Sequence, residues 1–453
     1  MRGKNVTQLG LFDQTFEEMM IHVGLDQELE KIDQILEDMP ECVDLVHKDL
    51  QTNKTETGRK GIKAETVLRC AILKTLKRLT YRGLRDAING NIPYRWFTRF
   101  KLEPIPHYTA LQKLIKSIKP ETFENLLECI LKYARESKIE KGKTVRVDTT
   151  VVETDIGYPV DAKLLKDSVR VLTRYMQRAR DYIDGKEFSF ANRVYRAKKR
   201  SYQIVMAKGP KADEIRKTHY KDLIKVANEV YAMAVKCANL LKGNPGSNAV
   251  VLYESLDHFL TLSAVAIAQC ERRVLKGETV PVDEKIVSIF ESHTDIIKRG
   301  KSQCPTEFGH KVLFVTGKSG LITQYRTYQG NPGDNTMVKD ILENHIKQFS
   351  SVPRKFAGDR RFFSADNEAY AKEAGVLKMS ICKPGYRSTE RKETEKKSWF
   401  KALQKFRAGI EGTISALMRG CGLKRCLWKG WRSFQSYVGL SVLTFNLRKL
   451  ATI

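Results

Sequence analysis

The sequence predicts an α/β core that is interrupted after its first strand by a long helical block and preceded by an all-α segment. Three observations carry this prediction. Thr144-Val145-Arg146-Val147-Asp148-Thr149-Thr150-Val151-Val152 is rich in β-branched residues and follows a Gly-Lys turn, the signature of a strand. Apolar residues recur at three and four on both sides of it, in Ala64 to Leu79, in Ser117 to Tyr133 and from Asp161 to about Ala238. From Phe308 the texture returns to strands, with His310 to Thr316 and Leu321 to Tyr328 joined by the hairpin signal Gly317-Lys318-Ser319-Gly320.

Residues 1–140 read as a helical N-terminal domain. Pro104 and Pro106 fall between its helical segments, and Pro120 lies near a helix start, where the ring is tolerated. Basic residues cluster from Gly58-Arg59-Lys60-Gly61 to Tyr81-Arg82-Gly83-Leu84. A helix-turn-helix-like DNA contact through Arg59 and Lys60 and the solvated face of a plain helical bundle fit that cluster equally. Residues 141–160 hold the first core strand, and 161–300 a helical insertion that includes Leu252 to Leu275 after a Gly243-Asn244-Pro245-Gly246 turn. Residues 301–453 supply the rest. A helix runs from Asn331-Pro332-Gly333-Asp334 to about Phe349, and a short segment, Lys355 to Gly358, ends in Asp359. A helix from Ser364 to Ala374, a strand from Val376 to Cys382, a charged linker from Pro384 to Lys397 and a helix from Trp399 to Met418 follow, before basic C-terminal helices. With the insertion set aside, strand, hairpin pair, helix, strand, helix, strand, helix is the order of a ribonuclease-H-like α/β core.

The charge points to the partner. Of 453 residues, 80 are Lys or Arg and 53 Asp or Glu, a net charge of +27. Such an excess goes beyond what solubility requires and indicates a polyanion, nucleic acid first and an anionic membrane surface second. A hydrophobic content of 42% excludes a disordered basic tail. Apolar runs such as Tyr437 to Leu443 stop short of the roughly 20 residues of a membrane span. No membrane association is expected, and an N-terminus without a secretory signal places the chain in the cytoplasm, with the nucleoid. The nine Cys are scattered, and the pair Cys421 and Cys426 has no second pair or nearby His, so free buried thiols are expected rather than a zinc site.

Three carboxylates suggest chemistry. Asp148 sits in a strand, where Asp is disfavoured, so its charge calls either for solvent or for a compensating cation. Asp359 stands at the carboxyl end of a predicted strand, where open α/β sheets place ligand-binding groups, although a turn or N-cap Asp reads the same way. Glu411, in Phe406-Arg407-Ala408-Gly409-Ile410-Glu411, carries little signal alone. Together the three could hold two hard divalent cations that activate an attacking oxygen and stabilise the leaving oxygen of a phosphodiester. His293 and His310 show no metal-ligand spacing, and structural or DNA-contact roles suit them as well as catalysis.

Several motifs carry a resemblance across nearly the whole chain. They include Gly58-Arg59-Lys60-Gly61, Leu68 to Lys74, Val145 to Thr154, Val169 to Arg174, Arg196-Ala197-Lys198-Lys199-Arg200, Lys285 to Asp295, Phe308 to Val312, Gly330-Asn331-Pro332-Gly333-Asp334 and Phe406 to Glu411. In these the chain resembles bacterial insertion-sequence DDE transposases of the ISNCY family. The resemblance implies a catalytic and metal-binding triad of Asp148, Asp359 and Glu411 with two Mg²⁺ or Mn²⁺ ions per active site. It implies cleavage of double-stranded DNA at the element's terminal inverted repeats and joining of the freed 3′ ends to target DNA, with a homodimer synapsing the two ends. Arg407 shares a helical face with Glu411 and is expected at a DNA phosphate near the scissile bond. Arg361 stands where a Gly is usual, and Met418 where a Lys is usual, with Arg419 adjacent as a DNA contact.

The basic block from Arg170 to Arg200 has Tyr175, Tyr182, Phe188, Phe190 and Tyr195 interleaved, and is expected to grip DNA backbone through Arg174, Lys198, Lys199 and Arg200. Two other functions fit the same sequence: a catalytically decayed DNA-binding copy, and a ribonuclease-H-like nuclease without strand transfer.

Overall fold

A computed structural model describes residues 16–51 other than 17, 19, 21 and 22, together with 61–185, 187–244, 246–298 and 306–453. Arg59 and Lys60 lie outside the described residues. The chain forms two compact units, residues 1–154 with 309–453, and residues 155–308.

The first unit begins with helices α1 (Gln27–Glu37), α2 (Glu41–Leu50), α3 (Ala64–Leu76), α4 (Tyr81–Gly90), α5 (Ile92–Phe97), α6 (Tyr108–Lys116) and α7 (Pro120–Glu136), followed by strand β1 (Thr144–Glu153). Local chemistry sets the helix starts. Side chains accept from otherwise orphaned amides: Asp26 from Leu29 N at 2.8 Å, Thr80 from Gly83 N at 3.0 Å and Asn91 from Tyr94 N at 2.9 Å. Pro93 and Pro120 occupy first turns, where no helical hydrogen bond is lost. Arg69 of the Leu68-Arg69-Cys70 motif is buried against Asp33, and its Nε donates to Glu65 at 2.9 Å. Arg99 donates to the same two acids at 2.8 and 3.2 Å, so this cluster ties α1, α3 and the turn after α5 together.

The second unit is a helical bundle: α8 (Asp161–Ala179), α9 (Val194–Met206), α10 (Ala212–Lys242) and α11 (Ser247–Cys270), with a short strand β2 (Asp295–Lys298) near its end. Leu165, Leu172, Met176, Leu223, Val230 and Leu256 are among the residues of its core. The expected continuous helical run from Asp161 is broken at 180–193 and 207–211. Asn192 accepts from Val194 N at 3.0 Å to start α9, and Gly209 is left-handed with φ +87° before α10. By length and composition the helix that begins at Ser247 is apolar enough to cross a membrane, contrary to the expectation that every apolar run stops short of a span. Its Leu252, Leu256, Leu260 and Ile267 pack into the bundle core.

The chain then returns to the first unit, with β3 (Thr306–Thr316), β4 (Ile322–Tyr328), α12 (Val338–Phe349), β5 (Lys355–Ala357), α13 (Ala365–Glu373), β6 (Lys378–Ser380), α14 (Thr389–Lys396), α15 (Ser398–Gly420) and α16 (Trp431–Ala451). The β3–β4 hairpin pairs antiparallel with β1, placing Asp148 opposite Phe314. On the other side of β1, β5 and then β6 pair parallel, giving β4–β3–β1–β5–β6. Alternation in β1 points Val145 and Val147 to a core shared with Leu313, Val315, Ile341, Leu342, Phe356 and Phe362. Arg146 and Asp148 point to the opposite face, which α15 covers.

One feature departs from expectation. The linker between Pro384 and Lys397 contains α14, which Ser388 starts by accepting from Arg391 N at 3.3 Å, and Arg391 pairs with Glu395 one turn on at 3.0 Å. The apolar run around Tyr437 belongs to α16, which packs against α1, α3, α7 and β4. Gly439 is required there, because a Cβ would come within 2.5 Å of Phe123 Cβ and 2.6 Å of the Tyr325 hydroxyl. The helices before β1 therefore share one apolar core with the C-terminal helix and the hairpin.

Candidate active site

Strand register brings the two aspartates together. Arg146 of β1 lies opposite Ala357 of β5, and two residues further along each chain stand Asp148 and Asp359. Between Ala357 and Asp359, Gly358 donates to Ser380 O at 3.1 Å, and a Cβ there would stand 3.2 Å from Val147 Cγ2. Asp359 then caps the short turn 360–362 by accepting from Arg360 N at 2.7 Å. Asp148 accepts from Thr149 N at 2.8 Å.

Helix α15 is fixed over this edge by two side chains and a glycine. Gln404 Nε2 donates to Ser380 O at 2.8 Å and to Ser380 Oγ at 3.0 Å. Arg146 Nη1 donates to Phe406 O at 2.8 Å, its Nε to Thr316 Oγ1 at 2.8 Å, and its guanidinium lies 4.7 Å over the Phe406 ring. Gly409 leaves the space that Arg146 Nη1 fills, since a Cβ there would collide with it. This seating places Arg407 Nη1 3.8 Å from Asp148 Oδ2, and Nη2 3.4 Å from Glu411 Oε1. Glu411 itself is exposed, and its carboxylate is joined to Asp148 through that guanidinium.

Burial pushes the Asp148 carboxyl up to about 6, and the negative charges of Asp359 and Asp334 add to the rise, while the Thr149 amide and Arg407 oppose it. Asp334 belongs to a buried network on the other face of β1. Its Oδ2 accepts from Thr149 Oγ1 at 3.2 Å, and Lys311 Nζ donates to its Oδ1 at 2.9 Å and to Pro332 O at 2.6 Å. Sequence reading named Asp334 and Lys311 only as members of two separate motifs; a Lys in the midst of an apolar strand was the available signal.

The donor chemistry fits a hard divalent cation. Asp148 and Asp359 offer carboxylate oxygens near enough for the charge of one to act on the other, and a cation would offset the cost of burying the Asp148 carboxylate. Among the described residues, no group of three His, Cys, Asp or Glu is gathered closely enough to hold a metal ion.

The expected DNA contacts divide. Arg174, Lys198 and Lys199 are exposed on the insertion. Arg200 is turned onto Asp222, which Arg196 also holds. Of the interleaved aromatics, Phe188 is buried in the bundle core and Phe190 and Tyr175 pack on it, whereas Tyr195 is exposed. Arg419 is exposed and donates to Ser415 Oγ at 2.6 Å. Met418, where a Lys is usual, packs on the large apolar core, and Arg361 is exposed in the turn after Asp359. His310 is buried between Trp431 and Phe434, and His293 lies 3.0 Å from Glu291, so both have structural surroundings. Cys421 and Cys426 are free and buried.

Family comparison agrees with this architecture. A family described as a transposase DDE domain matches residues 275–447, which takes in Asp359 and Glu411, and a second, described as a transposase domain (DUF772), matches residues 18–117. Asp148 falls between the two matched segments. No curated protein and no solved structure matches the chain. The two matches together cover more than half of the sequence, and the DDE domain implies the ribonuclease-H-like fold that the strand order β4–β3–β1–β5–β6 follows. The chain is an insertion-sequence DDE transposase.

Proposed function

We propose that this transposase, of the ISNCY type, cleaves double-stranded DNA at the terminal inverted repeats of its element and joins the freed 3′ ends to target DNA. The observation that supports this best is the position of Asp148 and Asp359, each two residues beyond the paired Arg146 and Ala357 of adjacent parallel strands, with α15 bringing Arg407 and Glu411 to Asp148. Asp148, Asp359 and Glu411 would hold two Mg²⁺ or Mn²⁺ ions. When bound, such ions activate the attacking oxygen and stabilise the leaving oxygen of a phosphodiester.

The chain's own residues perform the positioning. Gln404 and Arg146 hold α15 in register, the Lys311–Asp334–Thr149 network braces β1 from its other face, and Arg407 offers a guanidinium fork suited to a phosphate beside the carboxylates. The helical N-terminal segment, with Arg59 and Lys60, and the insertion surface of Arg174, Lys198 and Lys199 would bind the DNA backbone, with Arg419 as a further contact. A homodimer would synapse two element ends in the cytoplasm, on the nucleoid.

Labelled DNA carrying the element ends tests this reading. Cleaved and joined products with Mg²⁺ or Mn²⁺ are expected. Cleavage without joining would indicate a nuclease, and salt-sensitive binding without cleavage a decayed DNA-binding copy.

A further inference from the structure

A pocket of about 540 Å³ opens in the first unit between α3, the α3–α4 turn, α6, the end of α15 and the 421–428 loop. Lys74, Arg78, Lys116, Arg419, Lys424 and Arg425 line it, and no carboxylate does. Four of these cations have other engagements: Arg425 pairs with Glu153 at 2.7 Å, Arg419 donates to Ser415, and Lys116 and Lys74 lie over the Trp428 and Tyr81 rings. Lys74, Arg78 and Lys424 make no ion pair among the described residues. Lys74 is half-buried with its ammonium 4.8 Å over the Tyr81 ring, and burial together with the charge of Lys116 pushes it down to about 8. Holding the half-buried Lys74 ammonium beside a like charge is costly, and an anion shared with the exposed Arg78 and Lys424 offsets that cost.

The pocket is tied to the strand that carries Asp148. Glu153 N donates to Lys424 O at 3.1 Å and Cys426 N to Glu153 O at 2.8 Å, so the 421–428 loop runs beside the end of β1. Five residues of strand separate Asp148 from Glu153, about 17 Å, which is about five base-pair rises of a duplex. A DNA strand whose scissile phosphate sat at Asp148 would carry other phosphates towards the loop.

We propose that this pocket is a backbone-phosphate site, in which Lys74, Arg78 and Lys424 take a phosphodiester of the bound DNA about half a helical turn from the reacting one. It rests on the transposase reading for the identity of the polyanion. It brings Lys74 and Arg78, from the basic cluster between Gly58 and Leu84, together with the 421–428 loop at one phosphate.

Fluorescence anisotropy of a labelled DNA duplex, titrated over a series of KCl concentrations in EDTA, tests it without any cleavage in the readout. Lys74→Met and Lys424→Ala are each expected to weaken binding about threefold to tenfold, and to lower the slope of log K against log salt by about one. Lys424 is exposed, so its variant remains informative even where Lys74→Met lowers the melting temperature. Unchanged affinity and slope in a folded Lys74→Met/Lys424→Ala double variant would overturn the site. So would calorimetric binding of inorganic phosphate that the double variant loses while its DNA affinity is kept, since the ligand would then be the free anion. Because no metal is present, a wild type that binds DNA through the pocket but never cuts leaves this site standing and counts only against the cleavage reading.

Discussion

Arg407 faces Asp148 at 3.8 Å and reaches Glu411 with its other nitrogen at 3.4 Å. One guanidinium thus stands between two carboxylates on different elements, a strand and a helix. Its charge already offsets part of the repulsion that a second carboxylate near Asp148 would bring.

Arg407 therefore competes with any cation at this site. Arg407→Ala is expected to bind Mn²⁺ several-fold more tightly than wild type while cutting DNA more slowly, because the same residue serves the phosphate. Metal titration by electron paramagnetic resonance measures the first effect, and weaker Mn²⁺ binding in Arg407→Ala would count against it.

The Asp148 carboxyl is raised in the folded state to about 6 from an ordinary 3.8. A raised carboxyl binds its proton more tightly folded than unfolded, so the native state is penalised above pH 6 and relieved as pH falls from 6 towards 4. Asp148→Asn should stabilise the metal-free protein by at most about 3 kcal/mol at pH 8, with the gain shrinking below pH 6. Thermal melts at pH 8 and pH 5 check this, and Mg²⁺ should raise the melting temperature of wild type more than that of Asp148→Asn.

Gly409 is where α15 lets Arg146 lie against it. Gly409→Val should displace the Arg146 guanidinium from Phe406 O and shift Arg407 and Glu411 with the helix. Cleavage is expected to fall at least tenfold with DNA affinity retained, a 1 Å misplacement being enough for such a loss. Equal cleavage rates would show that Arg146 does not seat the helix.

Much of the core was legible in the sequence, and for identifiable reasons. Strand β1 announced itself through its β-branched alternation, the hairpin through Gly317 and Gly320, and Asp359 through its place after a short apolar strand. Helix α14 was hidden because its support is Arg391 paired with Glu395, a charge pattern that reads as a solvated linker. The Lys311–Asp334–Thr149 network was hidden because its members come from three separate segments, and only sheet register brings them together. Arg146 and Gln404 gave no sign of their part either, since an Arg in a strand and a Gln on a helix are ordinary until a second element docks on them. The basic residues were the most ambiguous: Arg69 lies within the basic cluster between Gly58 and Leu84, yet it is buried against acids.

That burial makes Arg69 a stability residue. Arg69→Ala would remove from Asp33 and Glu65 the buried cation that they share with Arg99, and removing one partner of a buried ion cluster costs about 3–5 kcal/mol. Chemical denaturation should show the loss; a change within 0.5 kcal/mol, the range of ordinary surface substitutions, would contradict it.

The insertion separates the same two roles. Lys198→Ala and Lys199→Ala should each lower the salt dependence of DNA binding by about one phosphate's worth without changing the melting temperature. Arg200→Ala, which frees one side of Asp222, should chiefly lower stability. DNA binding and melting measured on all three variants distinguish these outcomes.

The most direct test of the central claim is cleavage and joining of labelled element ends with Mg²⁺ or Mn²⁺, comparing wild type with Asp148→Ala, Asp359→Ala and Glu411→Ala. The account predicts that wild type cuts and joins, and that each variant binds DNA with unchanged affinity but does neither. Wild-type-like cleavage by any one of the three variants would contradict it.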